Sequence, residues 1–166
     1  VYNFLVIGLN TGLRTGEVFV LKFSDIDFKN NRINFFQNKV KSWKHIPIND
    51  TLRTLLEQLF AQKKGEYVLS NSNEKVNANT FKHHWKKVHT AAGVDKLIVP
   101  YTVRHSFCTR LTEGGVPLPR LMKYSGHKTL SMVMRYAHPE ERDEDLKILD
   151  QKPAQQNLLK PNTVQA

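Results

Sequence analysis

The chain has 166 residues, with 25 Lys and Arg against 15 Asp and Glu, and a formal net charge of +10 at pH 7. A hydrophobic fraction of 40% with nine Phe excludes a disordered basic tail over most of the length and suits one globular domain. The charge favours a polyanion as partner, although a solvated basic surface without a partner has the same composition. A single cysteine and the lack of a long apolar run exclude a disulfide framework and a membrane span, and predict a soluble cytoplasmic protein.

The predicted elements follow the hydrophobic periodicity along the chain. The apolar run 1–10 predicts a buried helix, Thr11-Gly12 a turn, and residues 15–21 a second helix. From residue 23 to residue 50 apolar and polar residues alternate around a turn at 29–31, which predicts a small antiparallel sheet. Helices are then predicted at 51–62, 77–92, 102–113, 117–124, 129–137 and 139–149, with a short strand at 67–69. The expected fold class is α+β, mainly α-helical, with the sheet near the N-terminal third.

The composition changes near the C-terminal end. Beyond Gln151 the chain is rich in Gln, Asn, Pro and Lys and poor in apolar residues. We therefore expect a folded domain at 1–150 and a mobile tail at 151–166.

Short motifs at both ends of the chain carry groups suited to a phosphodiester. Tyr-Thr-Val-Arg-His at 101–105, Tyr-Ser-Gly-His at 124–127 and Met-Arg-Tyr-Ala-His at 134–138 supply an arginine, a histidine and a tyrosine. Thr-Gly-Leu-Arg-Thr-Gly-Glu at 11–17 supplies a second arginine, and Asn38-Lys39 supplies a lysine ahead of Pro47.

These residue types suit phosphoryl transfer for chemical reasons. Anionic phosphate oxygens repel nucleophiles, so cationic donors must hold them, and the planar guanidinium binds two oxygens at once. A tyrosine hydroxyl that attacks phosphorus forms a covalent phosphotyrosine and conserves the bond for religation. A lysine can then protonate the leaving 5′ oxygen, and no metal ion or other cofactor is needed.

Together these motifs resemble the catalytic domain of the tyrosine recombinase, or phage integrase, family. The resemblance implies that Arg14 and Arg104 bind the phosphate and that Lys39 is the general acid. It also implies that His127 is a further donor to the phosphate and that Tyr136 is the nucleophile. Lys39 has the best spacing from the Ile-Pro pair at 46–47, Lys41 is the runner-up, and Lys44 also competes.

One position departs from the family pattern. Family members usually have histidine three residues before the second arginine, and this chain has Tyr101, which can donate a hydrogen bond but is a poor proton carrier at neutral pH. His105 would point roughly 100° away from Arg104 on a helix, so we expect it to pack or to support other groups and not to replace the missing histidine. Glu17, one helical turn after Arg14, is expected to orient that arginine or cap its helix.

A basic helix is expected to contribute to DNA binding. The lysines of this helix are candidate contacts to the DNA backbone, and they are Lys82, Lys86 and Lys87. Lys41 of the hairpin is a further candidate. The histidines between them, His83, His84 and His89, lack the spacing of zinc ligands, so no metal site is predicted.

The resemblance implies a site-specific recombinase or integrase that acts on double-stranded DNA as a homo-oligomer, a tetramer on paired sites, in the bacterial cytoplasm. The family's N-terminal DNA-binding domain would precede this chain, so we expect a fragment. Two alternatives remain: an enzyme like type IB topoisomerases, with the same chemistry and no strand exchange, and a DNA-binding module that has lost catalysis, which Tyr101 motivates.

Overall fold

The computed structural model describes residues 1–38, 41–70, 72–95 and 97–137. The helices are α1 Tyr2–Thr11, α2 Thr15–Phe19, α3 Asp50–Ala61, α4 Ala78–Ala91, α5 Thr102–Glu113, α6 Leu118–Ser125 and α7 Leu130–Met134. The strands are β1 Ile26–Asp27, β2 Arg32–Gln37 and β3 Ser42–Pro47, preceded by a 3₁₀ turn at Phe23–Asp25. The predicted α+β, mainly helical fold is confirmed. In this part of the chain no helix is long and apolar enough to cross a membrane.

Local sequence sets the helix ends. The side chain of Asn49 accepts the Leu52 amide at 3.0 Å and begins α3, and Asn77 caps α4 in the same way. Gly12 and Gly126 end α1 and α6 in the left-handed conformation, at φ 61° and 71°, which glycine adopts without strain.

The antiparallel sheet has the order β1-β2-β3. Residues that face inward on β2 and β3 are apolar at one end, where Ile33 pairs with Ile46, and polar at the hairpin end, where Gln37 and Lys44 are both buried. The inner face of the sheet therefore carries the core at one end and polar groups at the other.

Two clusters of buried side chains are joined by α5. The larger cluster includes residues of α1 to α4, the sheet and Val103 of α5. The smaller cluster contains Phe107 and Cys108 of α5 with Leu121, Val133 and Tyr136. Helix α5 thus contacts both clusters within two turns.

Some predicted elements were wrong. The segment 67–69 makes only an isolated bridge between Tyr67 and Lys22, because its partner is the short link between α2 and the 3₁₀ turn and not a strand. The helix predicted at 129–137 is shorter, since α7 ends at Met134. The helix at 139–149, the domain boundary at 150 and the tail lie outside the described residues.

Candidate active site

Arg14 occupies the N-cap of α2, where Glu17 fixes it. The two carboxylate oxygens of Glu17 accept the backbone N–H of Arg14 at 2.8 Å and its Nη1 at 2.9 Å. Gln37 of β2 donates its amide to the same carboxylate at 2.9 Å. About a third of the Arg14 side chain stays exposed, so the guanidinium is held from one side and open on another.

Arg104 of α5 is almost fully buried beside Arg14. Its Nη1 donates to the carbonyl oxygen of Gly12 at 2.6 Å, and its Nη2 lies 3.3 Å from Nε2 of His127. Burial, and then the charge of Arg14, lower the pKa of Arg104. The guanidinium nevertheless stays charged at any usable pH. The turn after α1 therefore orients one arginine and carries the other.

The hydrogen bonds of His127 determine its tautomer. Ser125 donates its hydroxyl to the Leu121 carbonyl at 2.7 Å, which leaves its oxygen to accept from Nδ1 of His127, also at 2.7 Å. Burial and the Arg104 charge lower the pKa of His127 to about 4. At neutral pH the ring is therefore neutral, with the proton on Nδ1 and a bare Nε2 toward Arg104.

Tyr136 follows α7 and lies in the smaller core cluster, 5% exposed. Its hydroxyl is 2.8 Å from Nδ1 of His105, and its ring centroid is 6.2 Å from that of His127. Burial, and then the neighbouring Cys108, raise the pKa of Tyr136 to about 12. Burial lowers the pKa of His105, so at neutral pH this ring is neutral and Nδ1 can accept the tyrosine proton.

Tyr101 precedes α5, where its carbonyl oxygen accepts the backbone N–H of Arg104 at 3.1 Å. It is about half exposed, and its ring packs edge-on against His105 with centroids 4.8 Å apart. The rings of Tyr101, His105 and Tyr136 thus form one row along α5. Helical spacing predicts that His105 and Arg104 point in different directions, but it does not predict the contact of His105 with Tyr136, because long-range packing sets the position of α7.

The lysines fall into different surroundings. Lys39 lies outside the described residues, and Lys41 is exposed in the hairpin turn with a positive φ of 50°. Lys82, Lys86 and Lys87 are exposed on α4. Lys44, by contrast, is buried on β3 and interacts electrostatically with Arg104, Glu17 and Arg14. Along β3 exposed and buried residues alternate, and this pattern could have distinguished the inward-facing Lys44 from the other lysines of the hairpin.

The site thus brings together side chains that are distant in sequence, from the turn before α2, from β3, from α5 and from the segments before and after α7. A tetrahedral anion beside Arg14 and Arg104 would meet two guanidinium forks, an imidazole and a phenol hydroxyl with a proton acceptor. This set of groups suits nucleophilic attack on a phosphodiester.

Comparisons with known proteins agree with this arrangement. The sequence profile of the phage integrase family matches residues 1–142. The chain is 30% identical over 138 residues to the tyrosine recombinase XerD of Oceanobacillus iheyensis, covering 77% of this chain and 46% of that protein. It is 25% identical to a probable integrase/recombinase of Acholeplasma phage L2, covering 84% and 49%. The chain spans about half the length of these curated relatives.

Solved structures match in fold. The catalytic domain of bacteriophage HP1 integrase superposes with a TM-score of 0.67 at 26% identity, covering 87% of this chain and 79% of that one. The Tn1549 transposon integrase in complex with circular intermediate DNA gives a TM-score of 0.71 at 23% identity, covering 90% and 58%. The profile match spans most of the sequence and includes the residues that form the site, so the chain belongs to the phage integrase family.

Proposed function

We propose that the chain is the strand-cleaving part of a site-specific DNA recombinase that works through a covalent 3′-phosphotyrosine. The observation that carries this proposal is the convergence of Tyr136, His127 and Arg104 at one point, with the Tyr136 hydroxyl already hydrogen-bonded to a neutral imidazole. The names of its relatives, which are recombinases and integrases, support the same activity.

The cleavage step assigns one role to each group. Tyr136 passes its proton to Nδ1 of His105 as its oxygen attacks phosphorus, and the bond from phosphorus to the 5′ oxygen breaks. Lys39 protonates that leaving oxygen, which gives a free 5′ hydroxyl and a 3′-phosphotyrosine. Attack by another 5′ hydroxyl reverses the steps and rejoins the strand. Protons balance, because each transfer in cleavage is reversed in religation.

The phosphate charge is carried by the surrounding donors. Arg14 and Arg104 bind the nonbridging oxygens with their forks, and Glu17 holds Arg14 in position. When the phosphate binds, His127 donates to it from Nε2 in its other neutral tautomer, in which Nδ1 accepts from the Ser125 hydroxyl, so no additional proton is taken up. Tyr101, which is about half exposed, stands where the family usually has histidine, and its hydroxyl donates a hydrogen bond to a phosphate oxygen.

Double-stranded DNA is the proposed partner, bound by a homo-tetramer on paired sites in the bacterial cytoplasm. The Tn1549 integrase, which shares this fold, was solved with a circular intermediate DNA. Lys41 and the exposed lysines of α4 are proposed contacts to the DNA backbone, which set register and affinity more than sequence choice.

Covalent trapping tests the proposal. The full-length protein is mixed with a nicked suicide duplex that carries its cognate site, and adducts are mapped by mass spectrometry. We expect an adduct on Tyr136 that Tyr136→Phe abolishes with DNA affinity retained, whereas Tyr124→Phe, a matched change beside the same core cluster, keeps it. An adduct formed by the Tyr136→Phe variant would refute the nucleophile, and no adduct with any variant would indicate a DNA-binding module without catalysis.

Strand exchange separates recombination from topoisomerase-like activity. Two duplexes with cognate sites and different flanking lengths are incubated with the full-length protein, and recombinant lengths are resolved on a gel. Recombinant products are expected. Relaxation of supercoiled DNA without any exchanged product would instead favour the topoisomerase-like enzyme.

A further inference from the structure

Lys44 is a buried lysine that the cleavage scheme does not use. On β3 its neighbours Trp43 and His45 are exposed, while Lys44 and Ile46 face inward, and Lys44 is only 4% exposed. Its Nζ is buried and has no hydrogen-bond partner among the residues that the structure describes. An unpaired buried amine destabilises a fold, so its presence at this position requires a reason.

The groups around Lys44 are mostly cationic or already bonded. Its charge interacts unfavourably with Arg104 and Arg14, and favourably with Glu17. The Glu17 carboxylate already accepts from Arg14 and from Gln37. Lys44 therefore lies near the arginine pair, and the carboxylate near it is already bonded to other donors.

A cavity of about 270 Å³ adjoins Lys44 and suits an anionic ligand. No carboxylate lines it, and its polar lining includes His127 and the exposed Lys123 and Lys128. The titratable and charged groups that face Lys44 from the elements around it are Arg14, Glu17, Arg104, Cys108, Lys123, His127 and Lys128. Glu17 is the one carboxylate among them and already accepts from Arg14 and Gln37, so positive charge exceeds negative charge in this region until a phosphate binds.

Burial, and then Arg104, lower the pKa of Lys44 to about 7. A phosphate held by the two arginines would offset their repulsion and favour the charged amine. Lys44 is a buried amine without a hydrogen-bond partner among the described residues, and it lies near both guanidinium groups. An anion bound by these two arginines would therefore attract the amine, whatever its pKa.

We propose that Lys44 is a positioning residue for the phosphate site, which takes up a proton when a DNA phosphate binds Arg14 and Arg104 and then holds that phosphate electrostatically from the β3 side. The inference rests on the proposed cleavage function. Lys44 acts through the arginine pair and does not replace Lys39 as the proton donor to the leaving oxygen.

NMR titration of lysine amines in the chain tests the proton uptake directly. The Lys44 signal, assigned with Lys44→Met, is titrated from about pH 6 to pH 10 in chloride and in inorganic phosphate at equal ionic strength. We expect phosphate to raise the Lys44 midpoint by about one pH unit or more and to leave exposed Lys63 unchanged. An unmoved Lys44 while the His127 signals report phosphate binding would overturn this inference alone. No response at either residue would overturn the proposed phosphate site as well.

Cleavage kinetics of the full-length protein separate positioning from proton donation. At pH 7, Lys44→Met should form the Tyr136 adduct about tenfold more slowly, because a coupling of about one pKa unit between Lys44 and the phosphate corresponds to a tenfold change, and Lys63→Met should match the wild type. The wild-type rate should fall at alkaline pH as Lys44 loses its proton, and Lys44→Met should lack that decline.

A substrate whose leaving 5′ oxygen is replaced by sulfur needs no general acid, because a thiolate leaves without a proton. It should restore Lys39→Ala and leave Lys44→Met slow. Full rescue of Lys44→Met by sulfur, or an unchanged pH profile in that variant, would show that Lys44 does not act as a positioning residue.

Discussion

At the scale of single residues, the two arginines differ in what holds them. Arg14 is fixed by a carboxylate, and Arg104 is fixed by a backbone carbonyl and faces an imidazole. A lysine keeps the charge at either position but cannot make two directed contacts and still bind two phosphate oxygens.

We therefore expect Arg14→Lys and Arg104→Lys each to slow adduct formation by about 10²- to 10³-fold, as removal of a preorganised donor does. Single-turnover cleavage of the suicide duplex measures this. Arg53→Lys, at an exposed ion pair with Glu57 on α3, is the matched control and should leave the rate unchanged. Wild-type rates in both site variants would contradict phosphate clamping.

The contact between His105 and Tyr136 predicts a pH dependence. The pKa of His105 is lowered from 6.5, so the neutral ring persists into mildly acidic solution, and cleavage should decline only as the pH falls below that lowered value. His105→Gln should be slow at neutral pH and should lose this acidic decline, because its side chain accepts no proton there. Rate profiles between about pH 4.5 and pH 8 test both expectations. A His105→Gln profile that coincides with the wild type would exclude the imidazole as proton acceptor.

The sequence predicted which residues form the site better than it predicted their contacts. Arg14, Arg104, His127 and Tyr136 were identified from motifs, because residue type and spacing are written in the chain, and the structure gathers all four. The contact of His105 with Tyr136 and the proximity of Lys44 to Arg104 depend on long-range packing, because the partners are 31 and 60 residues apart in the sequence. No local pattern records such distances.

At the scale of elements, the turn between α1 and α2 is the most constrained segment near the site. Gly12 has a φ of 61°, and a methyl group on it would collide with the ring of Phe107. Its carbonyl oxygen also accepts from Arg104. One glycine thus ends a helix, leaves room for the ring of Phe107 and orients the buried arginine of the candidate site.

Gly12→Ala should lower the free energy of unfolding by about 2 kcal/mol or more, through left-handed strain and the collision with Phe107. Chemical denaturation measures the loss. Gly16→Ala is a matched control, because a methyl group there meets nothing within 4 Å and alanine favours the helix. We expect it to be neutral or slightly stabilising. Equal stability of the two variants would refute the constraint at Gly12.

Lys44 on β3 should limit stability in a defined pH range. Its pKa falls from 10.5 in the unfolded chain to about 7 in the fold, so between these values the unfolded chain holds a proton that the folded chain lacks. Stability should therefore rise with pH across this range, and the cost of Lys44 should be complete below about pH 7. Lys44→Met should raise the free energy of unfolding at pH 7 by roughly 2 to 5 kcal/mol, with the gain shrinking toward pH 10. A gain independent of pH would contradict the lowered pKa.

The predicted positions of the elements agree with the structure where the periodic hydrophobic pattern extends over many residues. The predicted helix at 102–113 coincides with α5, and the alternating segment 23–50 contains all three strands. The prediction fails for the short segment 67–69, because its few apolar residues fit a strand or a single bridge equally well. Which one forms depends on the length of the segment that pairs with it.

At the scale of the whole molecule, the net charge of +10 predicts strong dependence of DNA binding on salt. Each phosphate neutralised by a lysine or arginine releases a counterion, so the logarithm of affinity should fall with that of salt at about −0.9 per phosphate. Fluorescence anisotropy with nonspecific duplex measures the slope. Removing the α4 lysines at 82, 86 and 87 together should reduce its magnitude, whereas changing Lys63 and Lys64 should not. Affinity independent of salt would mean that the positive charge faces away from DNA.

The two core clusters have a mechanical consequence. Arg14 lies at the start of α2 and Lys44 on β3, two elements whose buried apolar side chains belong to the larger cluster, while Tyr136 belongs to the smaller cluster and α5 contributes to both. The candidate nucleophile and one of the candidate phosphate-binding arginines are therefore carried by different core clusters, which one helix joins. Any contact that shifts α6 and α7 against the sheet would misalign attack while leaving every reacting side chain intact. We therefore expect the proposed cleavage to be sensitive to substitutions on the surface of α6 and α7, at positions remote from the chemistry.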